Sequence, residues 1–471
     1  MLVCSIKEKN LLEIEKKINK INKDHLIELR LDGLESLQIE ELKKFKNEIS
    51  NNIIFTLRAK EQLGDYKRSE KERLDDIEKL LTLEPEYFDI ECDINKNRLE
   101  KWQKNHPKTK FILSYHSLFF PKDLDTLLEE MIKKDVYSYK IAVLPSSFED
   151  LHRLYDFAKK ANKNRRLTLI ALGEKFFFFR LFRLGNFFDY VGAIKPTAPG
   201  QLTYNEALSL YRLLEMDENT KFYSLIGHPL DRSISHIYYN ELFQKERSKR
   251  VYVKISVLKD ELASFMEFAK KTFFYGFSIT MPLKEAAVQY ADEKDINLPI
   301  NTLVKKKDRW VGYNTDVMAV KDLIEDVSNK KVAILGGGAA AKAIALTLKK
   351  EKAKITLLVR NIEKIKPFAE KNDFSYFLLN EKVKDKFDVL INTIPITDKI
   401  IIDSCLIHPQ MYVMDIVWAE NTQTALLALA KEKGCKICDA LTFFLSQAKY
   451  QLEIFLDESK DGIYIDKQMN T

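Results

Sequence analysis

Cysteine is scarce in this chain of 471 residues: it occurs at positions 4, 92, 405, 435 and 438. An odd, widely spaced set does not form a disulfide framework, and it favours a reducing, cytoplasmic compartment. Cys435 and Cys438 have the CxxC spacing of zinc and redox sites. No second pair and no Cys/His cluster accompanies them, so we predict no metal.

Long apolar runs and runs of one charge sign are also missing. No stretch has the length and apolar character of a membrane span, and the first residues lack the cationic segment and apolar core of a secretion signal. Lys and Arg number 76 against 70 Asp and Glu, with the signs interleaved. We therefore expect no membrane and no nucleic-acid partner, whereas the small positive excess suits small anionic substrates. The oligomeric state is not readable from these features.

The first half does contain an alternation of short apolar runs with charged amphipathic stretches. Seven runs have the length and composition of β-strands, at residues 26–31, 53–57, 87–90, 111–114, 139–143, 167–171 and 190–194. Helical patterns between them indicate parallel strands with helices outside. So many units within one domain fit a closed (β/α)8 TIM barrel better than an open sheet.

Lys140 and His116 are the candidate catalytic pair of this half, in Lys140-Ile141-Ala142 and Ser114-Tyr115-His116. A lysine among apolar side chains loses water around its ammonium, which favours a neutral amine able to attack a ketone and form an imine. An imine loosens the proton on the neighbouring carbon, and a histidine can take that proton and return it to a leaving hydroxyl. The alternative is a surface lysine and a core histidine.

Other polar residues also lie at or just beyond strand candidates: Glu28, Arg30, Arg58, Glu91 and Arg180. In such barrels, side chains at the carboxyl ends of the strands form the active site. The coincidence therefore favours the catalytic interpretation over the structural one.

The second half begins after a polar segment at residues 214–220, and its clearest landmark is Gly336-Gly337-Gly338. An apolar strand precedes these glycines and an Ala-rich helix follows, which is typical of a dinucleotide site where backbone amides contact the pyrophosphate. Arg360, with Lys364, follows the next strand candidate, where a cation accommodates the 2′-phosphate of NADP. The alternative for Arg360 is a solvated arginine at a strand end.

The first half resembles type I 3-dehydroquinate dehydratase over residues 1–216. The motifs that carry the resemblance are Glu28-Leu29-Arg30-Leu31-Asp32, Thr56-Leu57-Arg58, Asp89-Ile90-Glu91, Ser114-Tyr115-His116, Lys140-Ile141-Ala142, Gly173-Glu174-Lys175 leading to Arg180, and Thr197-Ala198-Pro199-Gly200-Gln201. The resemblance implies a Schiff base at Lys140, acid/base catalysis by His116, and a hydrogen bond from Glu91 that orients His116. It also implies that the substrate is held by Glu28, Arg30, Arg58, Arg180, Thr197 and Gln201, with arginine suited to a carboxylate.

The second half is similar to shikimate dehydrogenase from residue 221 onward. The motifs include Asp231-Arg232-Ser233-Ile234-Ser235, Thr280-Met281-Pro282-Leu283-Lys284, Ile300-Asn301-Thr302, Asn314-Thr315-Asp316, Asn392-Thr393, Asp415-Ile416-Val417-Trp418 and Leu445-Ser446-Gln447. The resemblance implies that Ser233 and Ser235 bind the substrate carboxylate and that Thr280, Asn301, Asp316 and Gln447 bind ring hydroxyls. It implies cofactor contacts from Gly336, Gly337, Gly338, Ala339, Ala340, Arg360, Asn361, Lys364, Thr393 and Trp418.

Lys284 and Asp316 would form the proton-transfer pair of the second half. Reducing a ketone with hydride requires a proton donor at the developing alkoxide, and a lysine beside an aspartate can supply it. A structural ion pair is the alternative interpretation of the same two residues.

The prediction for the whole chain is an α/β protein with a TIM barrel followed by a two-lobed dehydrogenase that contains a Rossmann domain. The expected bounds are 1–216 for the barrel, 221–320 plus 441–471 for the substrate lobe, and 321–440 for the NADP-binding lobe. The expected function is dehydration of 3-dehydroquinate to 3-dehydroshikimate and its NADPH-dependent reduction to shikimate, in aromatic amino acid biosynthesis.

Two other functions remain open. A metabolite sensor similar to the fungal quinate-pathway repressors would have lost Lys140 or the Lys284–Asp316 pair, and both are present. An NAD-dependent quinate or shikimate dehydrogenase would carry an acid in place of Arg360.

Overall fold

The computed structural model describes residues 1–161, 165–294, 299–419 and 423–457. These residues form two compact units. The first comprises Met1–Lys221, Asn240–Ile255 and Ala263–Phe273, and the second comprises Phe222–Tyr239, Ser256–Leu262 and the described residues from Phe274 onward. The three domain bounds predicted from the sequence stay a prediction, and the end of the predicted segment 441–471 lies outside the described residues. None of the described helices combines the length and the apolar character needed to cross a membrane.

Eight parallel strands form the sheet of the first unit: β1 (Leu2–Ile6), β2 (Leu26–Arg30), β3 (Ile53–Thr56), β4 (Tyr87–Glu91), β5 (Lys110–Ser117), β6 (Ser138–Val143), β7 (Leu167–Ala171) and β8 (Asp189–Gly192). Their order is β7-β6-β5-β4-β3-β2-β1-β8, and each neighbouring pair is parallel. The predicted barrel architecture is thereby confirmed. Strand β1 was not among the strands predicted from the sequence.

The seam between β7 and β8 is closed by the residues just before β8. Phe187 N donates to Leu167 O at 3.0 Å. The side chain of Asn186 spans the same gap, accepting from Leu169 N at 3.0 Å and donating to Leu169 O at 3.1 Å. A side-chain amide thus replaces part of a strand ladder, and the sheet is nearly a complete barrel.

Six α-helices follow strands of this barrel: α1 (Leu11–Ile18), α2 (Ile39–Glu48), α3 (Glu70–Leu81), α4 (Lys96–Asn105), α5 (Leu124–Ile132) and α6 (Phe148–Ala161). Helix α3 begins at a capping box, in which Ser69 and Glu72 satisfy each other's backbone amides, and its buried face includes Ile77 and Leu80. Because helices cover the outside and side chains fill the inside, strands such as β2 and β4 are buried at every position.

A phenylalanine-rich 3-10 segment, Glu174–Phe182, follows β7 and carries Arg180. Within the first unit it packs against residues of α8 (Leu262–Lys270). Phe182 stacks on Phe268 with ring centroids 6.2 Å apart, and Phe178 meets the same ring at 6.2 Å. This aromatic packing fixes the backbone on which Arg180 is held.

The remaining elements before the nucleotide-binding region are α7 (Ser235–Lys245), β9 (Lys221–Gly227), β10 (Arg250–Ser256), β11 (Phe274–Ile279), β12 (Glu293–Lys294), β13 (Thr302–Lys306), β14 (Arg309–Tyr313) and α9 (Thr315–Leu323). In the second unit the strands run in the order β9-β11-β13-β14-β12. Strand β11 is parallel to β9 and antiparallel to β13. The carboxyl ends of β9 and β11 therefore lie at the same edge of the sheet.

A second parallel sheet in this unit contains β15 (Lys331–Leu335), β16 (Lys354–Val359), β17 (Ser375–Leu378), β18 (Val389–Asn392), β19 (Tyr412–Asp415) and β20 (Lys436–Cys438), with helices α10 (Ala339–Lys350), α11 (Ile362–Lys371), α12 (Ala425–Glu432) and α13 (Ala440–Leu456). The order β17-β16-β15-β18-β19-β20 is that of a dinucleotide-binding fold, and it reverses beside β15. Apolar clusters cover both faces of the sheet. The predicted Rossmann domain is confirmed.

Candidate active sites

The amine of Lys140 lies inside the barrel, with only 3% of the residue exposed. Its Nζ atom is 2.5 Å from Asp89 Oδ2 and 3.6 Å from Glu28 Oε1, and it lies 4.3 Å from the centre of the Tyr190 ring. The sequence predicted apolar surroundings for this amine. The burial is as expected, but inward positions of β2 and β4 carry acids, so the nearest groups are two carboxylates and an aromatic ring.

His116 shares the inner face of the barrel with Lys140. In the ladder between β5 and β6, Ser114 pairs with Lys140 and His116 with Ala142, and residues two apart on a strand point to the same side. The His116 ring is enclosed at Nδ1, which has no hydrogen-bond partner among the described residues. Burial, together with the charges of Arg58, Lys140 and Arg30, lowers the pKa of His116 well below its usual value. The imidazole is therefore neutral at physiological pH.

Glu91 does not orient His116 in this structure. Its carboxylate accepts from Ala59 N at 3.0 Å and from Arg73 Nη1 at 2.8 Å, and it lies 3.5 Å from Arg58 Nη1. Two buried guanidinium groups compete for this acid, and a cation attracts a carboxylate more strongly than a neutral ring does. The hydrogen bond expected between Glu91 and His116 is therefore absent from the described contacts, and Glu91 instead pairs with Arg58 and Arg73.

Arg58 and Arg30 are committed to acids within the barrel. Arg58 donates to Asp89 Oδ1 at 2.7 Å and to Ser114 Oγ at 2.7 Å. Arg30 forms a two-pronged pair with Asp32 at 2.9 and 2.8 Å. Both arginines were predicted from the sequence to hold substrate, but each already pairs with a carboxylate in this structure.

Arg180 differs from them because its Nε and Nη2 atoms are buried and have no hydrogen-bond partner among the described residues. Burial lowers the pKa of Arg180 to about 10, so the side chain still carries its charge at neutral pH. A buried cation with unused donors is costly unless an anion pairs with it. This residue is therefore suited to bind a carboxylate.

A chain of hydrogen bonds joins Thr197, Gln201, Ser5 and Glu28. Thr197 donates through Oγ1 to Gln201 Oε1 at 2.9 Å, and Gln201 Nε2 lies 3.4 Å from Ser5 Oγ. Ser5 in turn donates to Glu28 Oε2 at 2.5 Å. The structure thus brings three of the predicted substrate-binding residues into one network that ends beside Lys140.

Several residues that meet at Lys140 and His116 were not predicted from the sequence as site residues. They are Ser5, Gln62, Asp89, Ser114 and Tyr190. Asp89 precedes Glu91 by two positions, so strand alternation pointed to it as a second inward acid. Gln62, whose Oε1 accepts from His116 N at 3.2 Å, lies in a short 3-10 turn and gave no such periodic signal.

In the second unit, Lys284 and Asp316 form an ion pair, with Nζ 2.5 Å from Oδ2. Lys284 follows β11, and Asp316 lies in the first turn of α9, whose N-cap is Asn314. The side chains are 15% and 8% exposed, so the pair is only slightly accessible to water. A pair of this kind can hold a proton next to a substrate oxygen.

Asn301, Thr315 and Gln447 are joined beside this pair. Asn301 Nδ2 lies 3.0 Å from Thr315 Oγ1, which donates to Gln447 Oε1 at 3.0 Å. Thr315 was not predicted as a site residue, although it directly precedes Asp316. The network leaves Asn301 and Gln447 in fixed positions next to the Lys284–Asp316 pair.

Ser233 lies two residues before α7, and Ser235 is the first residue of this helix. The hydroxyls of Ser233 and Ser235 are 2.9 Å apart. Thr280, the remaining predicted substrate residue, is partly exposed at the end of β11. Ser278, in contrast, is buried and bonds to Gln451 Oε1 at 2.5 Å, so it supports α13 and is not part of the candidate site.

The glycine turn after β15 has the shape that a dinucleotide needs. Gly336 has a φ of +114°, and a Cβ added there would meet Thr393 Oγ1 at 2.4 Å. A Cβ at Gly338 would meet nothing within 4 Å, and α10 begins at Ala339 without a side-chain cap from the described residues. The first amides of α10, including that of Ala340, are therefore not capped by a described side chain and can bind an anion.

Arg360 is exposed at the end of β16, where the adenine ribose of a dinucleotide lies in this fold. Lys364 is also exposed, whereas the Asn361 side chain caps α11 by accepting from Lys364 N at 3.1 Å. Trp418 is partly exposed after β19. Arg360 and Lys364 remain available to a phosphate, and Asn361 serves the helix.

Comparisons with known proteins give matches to both halves. The family model for type I 3-dehydroquinase matches residues 2–218, and the model for the shikimate dehydrogenase substrate binding domain matches residues 225–297. A shikimate dehydrogenase (NADP(+)) of Caldanaerobacter subterraneus is 30% identical over 53% of this chain and 98% of its own length.

Several relatives match nearly the whole chain. Shikimate biosynthesis protein AroDE of Chlamydia pneumoniae is 30% identical, over 97% of this chain and 96% of its own length. The chloroplastic bifunctional 3-dehydroquinate dehydratase/shikimate dehydrogenase of Arabidopsis thaliana is 29% identical, over 94% of this chain and 80% of its own length. The chain therefore belongs to the family of proteins that join a type I 3-dehydroquinase to a shikimate dehydrogenase.

Proposed function

We propose that this chain is a bifunctional shikimate-pathway enzyme. Its barrel dehydrates 3-dehydroquinate to 3-dehydroshikimate, and its second unit reduces 3-dehydroshikimate to shikimate with NADPH. The product of the first reaction is the substrate of the second, so both substrates are small molecules. The even charge balance and sparse cysteines support action in the cytoplasm.

The first reaction begins with attack of the Lys140 amine on the substrate ketone. The ammonium gives up its proton before attack, and the carboxylates of Asp89 and Glu28 are the nearest acceptors. Loss of water then gives an imine, which draws electrons from the adjacent carbon. Neutral His116 removes a proton from that carbon and returns a proton to the departing hydroxyl.

The incomplete pairing of the buried Arg180 guanidinium is the single observation that carries this assignment. Arg180 is a buried cation with two nitrogen donors that have no partner among the described residues, whereas Arg30 and Arg58 pair with acids. The substrate carries one carboxylate, and a planar guanidinium can bond both of its oxygens. Binding the substrate therefore relieves the cost of an unpaired buried charge and sets the ketone's distance from Lys140.

In the second reaction the Lys284–Asp316 pair supplies a proton to the oxygen of the ketone. Lys284 donates as negative charge develops on that oxygen, and Asp316 stabilises the ammonium until then. Ser233 and Ser235 bind the substrate carboxylate, while Thr280, Asn301 and Gln447 bind ring hydroxyls. The connected network of Asn301, Thr315 and Gln447 supports this arrangement, because it fixes two of these side chains beside the proton donor.

NADPH fits the residues that are present. The open space at Gly338, the free first turn of α10 and the exposed cation at Arg360 match a pyrophosphate and a 2′-phosphate. When bound, this cofactor supplies the hydride. Thr393 and Trp418 line the approach to the cofactor from β18 and β19 in this proposal, with Lys364 beside Arg360.

The decisive experiment is reductive trapping of the imine. Borohydride is added to the protein with 3-dehydroquinate, and the digested peptides are mapped by mass spectrometry. We expect one adduct, on Lys140, and none in Lys140→Met, while Lys134→Met retains the adduct because Lys134 lies outside the barrel interior on Cys92 O. An adduct on another lysine, or no adduct, would falsify the dehydratase assignment.

The alternatives are separated by cofactor assays on the same protein. Reduction of 3-dehydroshikimate by NADPH, with little reduction by NADH, supports the proposal. Faster oxidation of quinate with NAD than of shikimate with NADP would instead show the quinate dehydrogenase. Binding of these metabolites without turnover at either site would show the sensor.

A further inference from the structure

Tyr190 is a buried residue of β8 for which neither proposed reaction has a use. Its hydroxyl is enclosed and has no hydrogen-bond partner among the described residues. A buried hydroxyl without a partner costs free energy that a phenylalanine at the same position would not. Such a group persists most easily where it acquires a partner when the site is filled.

The ring of Tyr190 lies directly against the candidate nucleophile. Lys140 Nζ is 4.3 Å from the ring centre, so the ring face meets the amine and the hydroxyl projects from the ring edge nearby. A carbonyl carbon that bonds to Nζ therefore lies beside the ring that carries this hydroxyl. No other role for the hydroxyl follows from the described contacts.

Three other donor side chains around Lys140 already have acceptors. Arg58 donates to Asp89 and Ser114, and Ser5 and Thr56 donate to Glu28 at 2.5 and 3.0 Å. The two carboxylates beside Nζ repel any negative charge that develops at the carbonyl oxygen. That oxygen needs a donor, and Tyr190 has one to offer.

We propose that Tyr190 is a further catalytic residue of the dehydratase, whose hydroxyl donates a hydrogen bond to the carbonyl oxygen attacked by Lys140. This inference rests on the proposed dehydratase function and deepens it. It assigns the oxyanion-stabilising role to a residue of β8, across the barrel from the strand that carries His116.

The step balances without any other reactant. The lone pair of Nζ forms the C–N bond, and the π electrons of the C=O bond move to the oxygen. A proton from the new nitrogen then reaches the oxygen and gives the carbinolamine, which loses water as the C=N bond forms. Tyr190 keeps its own proton throughout, because burial and the charges of Glu28 and Asp89 raise the pKa of its phenol well above the usual value.

The test compares Tyr190→Phe with the wild-type protein by rapid-quench borohydride trapping with 3-dehydroquinate. Tyr190→Phe retains the ring against Lys140 and removes only the hydroxyl. We expect the rate of adduct formation and kcat for dehydration to fall about 100-fold. KM for 3-dehydroquinate should change by less than about twofold, because Arg180 is untouched.

Tyr139→Phe is the matched control. Tyr139 precedes Lys140 on β6, points to the opposite side and donates to Lys134 O at 3.0 Å. It should lose neither activity. The dehydrogenase activity of Tyr190→Phe, measured in the same sample, should equal that of the wild type and show that the chain is folded.

A purely structural role predicts a different result. Removing an unused buried hydroxyl would then raise Tm and leave the trapping rate of Tyr190→Phe at the wild-type value, and this outcome would overturn the inference. A wild-type protein that forms no adduct at Lys140 would instead overturn the proposed dehydratase function itself. The two failures are therefore distinguishable.

Discussion

The Nζ atom of Lys140 and Oδ2 of Asp89 lie 2.5 Å apart, across the strand that carries Ser114 and His116. The other oxygen of Asp89 accepts from Arg58 at 2.7 Å and from Ser114 at 2.6 Å. Although burial raises the pKa of Asp89, the charges of Arg58 and Lys140 outweigh it and lower the pKa below its usual value. One buried carboxylate thus pairs with two buried cations at once.

Asp89→Asn should therefore destabilise the protein more than an ordinary surface change. Two buried cations would lose their shared counter-charge, and we expect a loss of about 3–5 kcal/mol in the free energy of unfolding. Urea unfolding measures it, with exposed Asp93→Asn as the control for the same chemical change on the loop after β4. Equal unfolding midpoints for the two variants would contradict the role assigned to Asp89.

The pKa of His116 makes stability depend on pH. Because burial and nearby cations lower the folded-state pKa, the unfolded chain binds a proton below about pH 6.5 that the folded chain does not bind. Stability should therefore fall as the pH falls from 7 to 5, by up to about 1.4 kcal/mol per pH unit from this group. Asp89, whose pKa is also lowered, adds a loss only below about pH 4.

Guanidinium unfolding of the wild type and of His116→Gln at pH 7 and pH 5 isolates this contribution. The wild type should lose more stability than His116→Gln between the two pH values. His106→Gln, at the end of α4, should follow the wild type. Parallel losses in all three proteins would show that His116 does not titrate as inferred.

Lys284→Met should abolish most of the dehydrogenase activity without affecting the barrel. Loss of a positioned proton donor costs about 100- to 10,000-fold in kcat. The dehydratase reaction, assayed in the same preparation, is the internal reference. Lys321→Met, which removes the partner of Glu351 from a more exposed ion pair on α9, is the matched control. Dehydrogenase activity retained in Lys284→Met would assign that pair a structural role.

Arg360→Asp should reverse the cofactor preference. A charge-assisted contact to the 2′-phosphate is replaced by repulsion, so kcat/KM with NADPH should fall about 10- to 100-fold while the value with NADH holds or rises. Lys366→Asp makes the same charge change on the exposed side of α11 and should leave the preference intact. An unchanged NADPH/NADH ratio in Arg360→Asp would remove Arg360 from the cofactor site.

Much of the fold was predictable because it depends on local pattern. The runs around Lys140 and Glu28 are strands, because short apolar segments between amphipathic helices are typical of buried parallel strands. The glycines after β15 predicted the Rossmann turn, because the backbone can approach a phosphate closely only where side chains are absent. Strand β1 was missed, and with it Ser5.

The sequence by itself determined the two architectures and the residue types for both reactions, since hydrophobic period and motif spacing are local properties of the chain. Only the tertiary structure decided which acid meets which cation. Glu91 pairs with Arg58 and Arg73, Asp89 pairs with Lys140, and the Tyr190 hydroxyl has no partner within the described part of the chain. Such pairings depend on closure of the barrel, which brings together strands that are far apart in sequence.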